Sequence, residues 1–565
     1  MTGLATYPIA CAQLNTTVGD FAGNVERIVL AAQRALAQGA RMLVCPEMTV
    51  TGYPAEDWLL REDFCLAAQN AIRTLQERLL AVAPGLTVVV GGVRLVHGKR
   101  RAARNTLFVL AADGTVHTYD KRHLPEYGVF DEGRVFESGE GVLVLAVAEG
   151  LKAGFAICED LWFEDVAQEL KAAGADFIVS INASPWEKKK RADREATVIG
   201  HAAAVGLPLI YVNLTGGQDE LVFDGHSFAS DAAGRVVMGM GVAEETSGVI
   251  DAGALVSGSL PAFFEAESAQ SPDEQSLAEL YDMLVVAVRD YVHKNGFKQV
   301  VLGLSGGVDS ALVASIAADA LGKENVLAVM MPTRFTGDLS LTLAQRCAEN
   351  LGIDYVVRAV EPLFAAFMGV LKDDFAGRPW SEAEENLQAR VRGTLLMAYS
   401  NKFGRLVLTT GNKSESAVGY STLYGDTAGA YAPIKDVLKT EVWALCREIN
   451  RRAGFERVPE EIITRPPSAE LREGQLDQDS LPAYELLDRI ISAYVEEGQS
   501  QEAIASSGIG AAVVERVVRL IHRNEYKRRQ CPVGPKVSAV AFGRDWRFPM
   551  TARLGVLQKV NAAQG

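Results

Sequence analysis

A run of glycines and hydroxyl residues in the C-terminal half has the composition of a phosphate-binding turn. Residues 305–310 are Ser-Gly-Gly-Val-Asp-Ser, after an apolar run at 299–304 and before an alanine-rich segment that ends at Gly322. Glycines let the backbone turn tightly, and successive N–H groups at a helix start attract phosphate. Asp309 adds a carboxylate that could hold Mg²⁺ against a polyphosphate. The run predicts a strand-to-helix turn that binds phosphate; the alternative is a turn of the same shape without a ligand.

Three polar residues in the N-terminal half follow predicted strands and could together perform acyl transfer. They are Glu47, Lys121 and Cys158. Singly, they would be a solvated carboxylate, a surface lysine and a small buried thiol. Together, Cys158 would be the nucleophile, Glu47 the base that takes its proton, and Lys121 the cation beside the developing oxyanion. Activation by a neighbour is needed because a free thiol is mostly protonated at neutral pH.

Both halves alternate apolar runs typical of strands with segments of helical period, which predicts an α/β fold. The strands predicted in the N-terminal half are 9–13, 41–45, 86–91, 154–158, 177–181 and 209–213, and the helices are 24–38 and 66–80. The C-terminal half is predicted to have strands at 299–304, 325–332, 354–357 and 405–410, with a helix at 340–351. Polar residues at 411–415 follow the last strand, at the sheet edge where doubly wound folds bind ligands.

The composition narrows the class of protein. The 565 residues allow more than one domain, and 48% hydrophobic with 22% charged residues is ordinary for a globular protein. A net charge of −15 argues against a general nucleic-acid binder. Seven scattered cysteines, with no membrane-length apolar run and no signal-peptide pattern, favour the cytoplasm. The cysteines and histidines are dispersed along the sequence, which argues against a zinc site.

The N-terminal half resembles the nitrilase superfamily, and specifically the glutaminase domain of glutamine-dependent NAD⁺ synthetases. The resemblance rests on residues 46–60 (Pro-Glu-Met-Thr-Val-Thr-Gly-Tyr-Pro-Ala-Glu-Asp-Trp-Leu-Leu), 121–132 and 157–162. It implies the same three catalytic roles, with glutamine contacts at Tyr127, Ser184 and Lys190. Lys189 stands where a glycine is usual in the family. Glu132 is interpreted either as an auxiliary carboxylate or as a solvated acid in an exposed loop.

The C-terminal half resembles the NAD⁺ synthetase domain of the same family. Residues 305–310 form neither a Walker loop nor a Gly-x-Gly-x-x-Gly turn, and resemble the pyrophosphate loop of ATP pyrophosphatases. The ATP contacts implied are Gly303, Leu304, Ser305, Gly306, Gly307, Val308, Asp309, Ser310, Thr410, Lys439 and Ser468. The deamido-NAD contacts implied are Asn386, Arg390, Glu415, Asp426 and Lys527. Asp309 and Glu415 are the candidate Mg²⁺ ligands.

The resemblance implies a nitrilase-like α/β sandwich at residues 1–260, a linker at 261–275 and a doubly wound parallel-sheet domain of the ATP-pyrophosphatase type at 276–565. Residues 271–275 have the pattern of a helix start, with Ser271 as its cap. The expected reaction is ATP-dependent amidation of deamido-NAD⁺ to NAD⁺ with glutamine as the nitrogen donor, through a thioester and an adenylate. The fusion suggests that ammonia passes internally, and the family resemblance implies a homo-oligomer.

Three alternatives remain open at this stage. The chain could be an amidase or nitrilase whose C-terminal half binds nucleotide only as a regulator. It could be an amidotransferase that acts on a different carboxylate or on a nucleotide base, although the acidic charge disfavours tRNA. It could also be a non-catalytic binding protein in which Cys158 is a core thiol.

Overall fold

The computed structural model describes residues 5–96, 103–263 and 271–552. The chain divides into two compact units, Met1–Asp290 and Tyr291–Gly565. Residues 264–270 of the predicted linker lie outside the described residues. The predicted helix start is confirmed, because Ser271 Oγ accepts a hydrogen bond from Glu274 N at 3.3 Å and the Glu274 carboxylate accepts one from Ser271 N at 2.8 Å. This reciprocal pair is a capping box. The unit boundary falls further along, inside the helix that starts there.

The N-terminal unit contains fourteen strands among its described residues. The strands are β1 (Pro8–Gln13), β2 (Met42–Val44), β3 (Thr87–Leu95), β4 (Ala103–Leu110), β5 (Val116–Asp120), β6 (Leu143–Ala148), β7 (Leu151–Ile157), β8 (Phe177–Asn182), β9 (Leu209–Asn213), β10 (Thr215–Gln218), β11 (Leu221–Asp224), β12 (Phe228–Ser230), β13 (Val236–Gly239) and β14 (Thr246–Asp251). The helices are α1 (Phe21–Ala37), α2 (Glu62–Val82), α3 (Glu164–Ala172), α4 (Lys190–Ala204), α5 (Ala252–Val256) and α6 (Pro272–Lys294).

Two six-stranded sheets pack face to face in this unit. Their strand orders are β14-β1-β2-β3-β4-β5 and β13-β12-β9-β8-β7-β6, and each has three parallel strands at its centre. Apolar side chains from both sheets, such as Val44 and Phe155, share one buried core. Helices α1 and α2 cover the outer face of the first sheet, and α3 and α4 cover the second. The predicted nitrilase-like sandwich is therefore confirmed as four layers, helix-sheet-sheet-helix.

The C-terminal unit is built on a four-stranded parallel sheet. Its strands are β15 (Val300–Gly303), β16 (Val326–Met330), β17 (Asp354–Val357) and β18 (Leu406–Leu408). The helices are α7 (Val308–Leu321), α8 (Asp338–Leu351), α9 (Glu361–Val370), α10 (Glu382–Phe403), α11 (Lys413–Val418), α12 (Lys439–Ala453), α13 (Glu460–Thr464), α14 (Tyr484–Ile491), α15 (Gln501–Ser506), α16 (Ala511–Arg523) and α17 (Glu525–Arg528).

The strand order of this sheet creates a crevice at one edge. The order is β17-β16-β15-β18, so the chain moves outward from β15 to β17 and then returns to the other side of β15. The helices that follow β15 and β18 start next to each other at this switch point, which is where doubly wound sheets bind ligands. A separate apolar cluster joins α14 to α16 and includes Leu487, Ile491, Val517 and Ile521.

Within the described ranges, no helix is both long and apolar enough to cross a membrane.

Gly91 in β3 allows the segment that carries Glu47 to pass close over the sheet. A Cβ at position 91 would lie 2.1 Å from Met48 N and 2.7 Å from Glu47 Cα. Backbone hydrogen bonds hold the contact, with Gly91 N donating to Pro46 O at 3.2 Å and Val50 N donating to Gly91 O at 3.1 Å. Only glycine fits without moving this backbone.

We expect Gly91→Ala to lower the free energy of unfolding of the N-terminal unit by about 2 kcal/mol, because the added methyl group overpacks a site closed by backbone. Gly200→Ala is the matched control: Gly200 lies on the exposed side of α4, and a Cβ there meets nothing within 4 Å. The control should be stabilised by up to about 1 kcal/mol. Calorimetric melting of both variants measures the difference, and equal melting temperatures would contradict the account.

Candidate active sites

The N-terminal unit brings Glu47 and Lys121 together in its interior. Glu47 lies just beyond β2 and Lys121 directly follows β5, and both side chains are only 1% exposed. Lys121 Nζ donates to Glu47 Oε1 at 2.8 Å. The same oxygen accepts from Asn105 Nδ2 at 2.7 Å, and Glu47 Oε2 accepts from Ala183 N at 2.8 Å. Both oxygens of the proposed base are thus held in fixed directions.

Cys158 stands at the end of β7, next to this ion pair. The strand was predicted to include Cys158, but it ends at Ile157, because Cys158 takes the left-handed backbone conformation (φ +45°) and starts a 3₁₀ turn. Burial raises the pKa of the Cys158 thiol well above its usual value, the Glu47 carboxylate raises it further, and Lys121 lowers it. The raised pKa means that the thiol needs a base in order to act as a nucleophile.

Glu132 is a buried member of the site, and its interpretation as a solvated acid in an exposed loop was wrong. Its carboxylate lies 3.0 Å from Lys121 Nζ and accepts from Tyr53 OH at 2.9 Å. The loop folds inward because Glu132 N donates to Pro125 O at 3.1 Å. Burial raises the pKa of Glu132 to about 7, while Lys121 opposes that rise.

Lys121 stays charged because it has two anionic partners. Burial alone would lower the pKa of its ammonium group, but Glu132 and Glu47 together raise it well above the usual value. A buried ammonium is stable only beside compensating carboxylates, and Lys121 has two of them. The site therefore offers a permanent cation beside the thiol.

The three predicted glutamine contacts lie around this centre. Tyr127 is half exposed, and its OH donates to both oxygens of Glu159 at 3.1 Å. Ser184 is buried, with its N–H donating to Asn213 Oδ1 at 2.9 Å. Lys190 opens α4, and its ammonium lies 5.6 Å from the centroid of the Phe130 ring.

Lys189 takes a left-handed backbone conformation with φ of +71°. Glycine adopts this conformation at lower cost, which accounts for the usual family residue at this position. Lys189 therefore adopts the left-handed conformation that glycine favours, and Lys190 follows it directly.

A cavity of about 320 Å³ opens in the C-terminal unit where β15, β16 and β18 end. Twelve of the predicted site residues line it: Gly303, Leu304, Ser305, Gly307, Val308, Asp309, Ser310, Thr410, Glu415, Asp426, Lys439 and Ser468. Gly306, the remaining predicted ATP contact, lies on the side of the turn that packs against Ser340. Its φ is +77°, and a Cβ there would lie 2.5 Å from Ser340 O.

The turn between β15 and α7 is arranged as an anion cradle. Gly307 N donates to Ser305 Oγ at 3.2 Å, and the hydroxyls of Ser305 and Ser310 are 3.2 Å apart. Helix α7 starts at Val308, and no side chain of the described residues caps its first turn. Its first N–H groups and the two hydroxyls thus face the cavity at the positive end of a helix, which suits phosphate.

Lys439 lies between the two predicted metal ligands. Its Nζ donates to Asp309 Oδ2 at 2.5 Å and to Glu415 Oε1 at 3.2 Å. Asn412 joins the same pair, because its Nδ2 donates to Asp309 Oδ1 at 2.8 Å and its Oδ1 accepts from Glu415 N at 2.9 Å. Burial raises the pKa of Glu415 to about 8, against the effect of Lys439.

The donor set in this cavity fits Mg²⁺. No cluster of three or more acidic, histidine or cysteine side chains that could hold a metal occurs in the described part of the chain. Two carboxylates and nucleotide phosphates are nevertheless a usual Mg²⁺ environment, since this ion keeps several waters. Asp309 and Glu415 would supply the two carboxylates, and one oxygen of each contacts Lys439 Nζ.

Three predicted deamido-NAD contacts do not line the cavity but contact the loop that does. Asn386 Oδ1 accepts from Thr422 Oγ1 at 2.6 Å, and Arg390 Nε donates to Leu423 O at 3.2 Å. Lys527 Nζ donates to Gly419 O at 2.7 Å and to Ser421 O at 2.8 Å. These contacts hold the loop that leads to Asp426, whose pKa burial raises to about 6.

Two arginines that the sequence analysis did not select line the cavity, Arg392 and Arg465. Arg392 Nε donates to Met331 O at 2.9 Å, and burial lowers the pKa of its guanidinium to about 10. It lies on α10 in a lining stripe of helical spacing, with Ala389, Gly393 and Leu396. Residues three and four apart lie on the same face of a helix, so this spacing could be recognised in the sequence. It includes Arg392 and leaves out Arg390, which does not line the cavity.

Comparisons with known proteins match each half of the chain to a described family. Residues 8–254 match the family model described as carbon-nitrogen hydrolase, and residues 280–531 match NAD synthase. The chain is 42% identical over 554 residues to the glutamine-dependent NAD(+) synthetase of Acinetobacter baylyi, covering 97% of this chain and 98% of the relative. It is 44% identical to the enzyme of that name from Xylella fastidiosa strain Temecula1, covering 96% and 98%. A solved Acinetobacter baumannii glutamine-dependent NAD⁺ synthetase in complex with ADP has a TM-score of 0.76 and 39% identity, covering 97% of this chain and 98% of that one.

The raised pKa of Glu132 predicts a specific pH dependence of stability. Between its usual pKa near 4.5 and about 7, the unfolded chain releases a proton that the folded chain keeps. The contribution of Glu132 to stability is therefore fully present below 4.5 and is lost as the pH rises through about 7. Relative to Glu132→Gln, the wild type should lose on the order of 2 kcal/mol of stability between about pH 5 and about pH 8.

Urea unfolding at several pH values measures this difference. Glu149→Gln is the control, because Glu149 is exposed in the turn between β6 and β7. Its difference from the wild type sets the baseline for loss of an exposed carboxyl group. A pH-independent difference for Glu132→Gln would show that the buried carboxyl does not titrate in this range.

Proposed function

This chain belongs to the glutamine-dependent NAD(+) synthetases, which amidate deamido-NAD⁺ to NAD⁺ with glutamine nitrogen, and we propose that Cys158 and the cavity beside Asp309 perform its two half-reactions. The observation that carries the proposal is the pair of buried charge clusters, one in each unit. Membership of this family leaves no support for a non-catalytic scaffold or for a different acceptor.

Glutamine hydrolysis is proposed to start at Cys158. Glu47 takes the thiol proton, and the sulfur attacks the side-chain amide carbon of glutamine. Lys121 lies beside the oxygen on which negative charge develops and stabilises it more than it stabilises the neutral amide. Ammonia leaves with the proton that Glu47 returns, which leaves a glutamyl thioester on Cys158.

Release of glutamate uses the same groups in reverse order. Glu47 takes a proton from water, the resulting hydroxide attacks the thioester, and the thiol regains its proton. Asn105 and Ala183 N keep the Glu47 carboxylate in one orientation through both steps. Glu132 keeps Lys121 charged and in place.

The cavity of the C-terminal unit is proposed to bind ATP and deamido-NAD⁺. The turn at 305–310 would hold the ATP phosphates through backbone N–H groups and the hydroxyls of Ser305 and Ser310. The nicotinate carboxylate attacks the α-phosphate, pyrophosphate leaves, and an acyl-adenylate forms. Lys439 would neutralise phosphate charge, and positioning with charge neutralisation is the main requirement of such a transfer.

Asp309 and Glu415 would hold Mg²⁺, which supplies Lewis-acid stabilisation of the phosphate oxygens when bound. Asn412 holds the Asp309 carboxylate through its Nδ2 and the backbone of Glu415 through its Oδ1, independently of Lys439. Unprotonated ammonia then attacks the acyl carbon of the adenylate. AMP leaves, a proton passes to solvent, and the amide of NAD⁺ is complete.

We expect Cys158→Ala to lose NAD⁺ formation with glutamine by about 1000-fold or more, because no thioester can form. With ammonium salts as the nitrogen source, the rate should stay within about 2-fold of the wild type, because the second half-reaction needs only free ammonia. NAD⁺ and glutamate are measured by chromatography after reaction with ATP and deamido-NAD⁺.

Cys65→Ala is the matched control, since Cys65 is a buried thiol in α2 outside the site. It should keep both activities. Glutamine-dependent activity in Cys158→Ala would refute the nucleophile assignment. Loss of ammonium-dependent activity as well would refute the independence of the two half-reactions.

A further inference from the structure

Asp160 is a buried carboxylate with four hydrogen-bond donors, two residues after Cys158. Its side chain is fully buried. Oδ1 accepts from the backbone N–H groups of Arg122 and His123, each at 3.0 Å. Oδ2 accepts from Ile157 N at 3.0 Å and from Tyr119 OH at 2.8 Å. The half-reactions described above do not use this residue.

The four donors come from the two segments that carry opposite sides of the site. Tyr119, Arg122 and His123 flank Lys121 at the end of β5, which belongs to the first sheet. Ile157 ends β7, which belongs to the second sheet, and directly precedes Cys158. The Asp160 carboxylate thus links the loop that carries Lys121 to the turn that carries Cys158.

The turn at Cys158 depends on these hydrogen bonds because its backbone is strained. A non-glycine residue with φ of +45° costs on the order of 1 kcal/mol and persists only where the surroundings impose it. The hydrogen bond from Ile157 N to Asp160 spans this residue and closes the turn around it. Without it, Cys158 can relax and carry its sulfur away from Lys121.

We propose that Asp160 is a positioning residue that sets the separation between the Cys158 thiol and the Lys121 ammonium. The proposal rests on the glutaminase role given to these two residues above. Under this proposal, substitution of Asp160 slows thioester formation by more than its loss of folding stability would explain.

Asp165 offers a matched comparison, because it contacts the same two residues through their side chains. Its carboxylate accepts from Arg122 Nη2 at 3.0 Å and lies 2.9 Å from His123 Nε2. It has no contact with Ile157 among the hydrogen bonds of the described residues, so it does not join the two segments. Asp165→Asn therefore removes a neighbouring charge and leaves the four hydrogen bonds to Asp160 intact.

Asp160→Asn keeps the size of the side chain but replaces one acceptor oxygen by an N–H donor. If the remaining oxygen serves Arg122 and His123, the new amide faces Ile157 N–H and that contact is lost. We expect the glutamine-dependent kcat to fall by about 100-fold, since small misplacements of reacting groups cost that much. The KM for glutamine should change by less than about 3-fold, and ammonium-dependent activity should be unchanged.

The test measures kcat and KM, melting temperature, and the rate at which a glutamine-shaped diazoketone alkylates Cys158, located by peptide mass spectrometry. For Asp160→Asn the alkylation rate should fall in parallel with kcat, while Asp165→Asn should match the wild type in both. A lower melting temperature with unchanged kcat and alkylation rate would overturn the proposal and leave Asp160 a structural residue.

Tyr119→Phe keeps the proposal testable if Asp160→Asn does not fold. It removes one of the four donors, and both rates should fall by about 3- to 10-fold. Unchanged rates in this variant would overturn the proposal. Absence of label at Cys158 in the wild type would refute the glutaminase assignment itself, which separates that failure from failure of the positioning role.

Discussion

In each unit, a buried lysine stands between two carboxylates, and the chemistry proposed for both sites depends on this arrangement. Lys121 lies 2.8 Å from Glu47 and 3.0 Å from Glu132, and Lys439 lies 2.5 Å from Asp309 and 3.2 Å from Glu415. Burial of such groups is costly, so each charge must be balanced by its neighbours. Because water is largely excluded, the same charges act strongly on a bound substrate. Positioning and electrostatic stabilisation therefore come from one set of contacts.

The folds place these groups by bringing strand ends together. In the sandwich, Glu47 and Lys121 follow strands of one sheet, and Cys158 follows a strand of the other. The proposed glutaminase site therefore forms where the two sheets pack. In the doubly wound unit, the phosphate turn follows β15, and Asn412 and Glu415 follow β18, on either side of the switch point. Apolar cores fix the strands that carry both sites.

The sequence was most informative where chemistry is local. The strand at 354–357 and the strand-to-helix turn at 305–310 could be predicted because periodicity and glycine placement are short-range signals. Burial and partner choice depend on long-range packing, which is why Glu132 was misread as possibly solvated and Arg392 was overlooked. The contacts of Asp160 were also invisible, because three of its four donors lie 37, 38 and 41 residues away in the chain.

Parallel measurement of glutamate and pyrophosphate in two lysine variants tests the central claim most directly. Lys121→Met should lose glutamate formation yet release pyrophosphate with ammonium as the nitrogen source, because its defect is confined to the thioester site. Lys439→Met should lose pyrophosphate release with either nitrogen source, while Lys402→Met, a change at an exposed lysine near the end of α10, should affect neither product. The claim is contradicted if Lys439→Met still releases pyrophosphate at the wild-type rate, or if Lys121→Met fails to do so with ammonium.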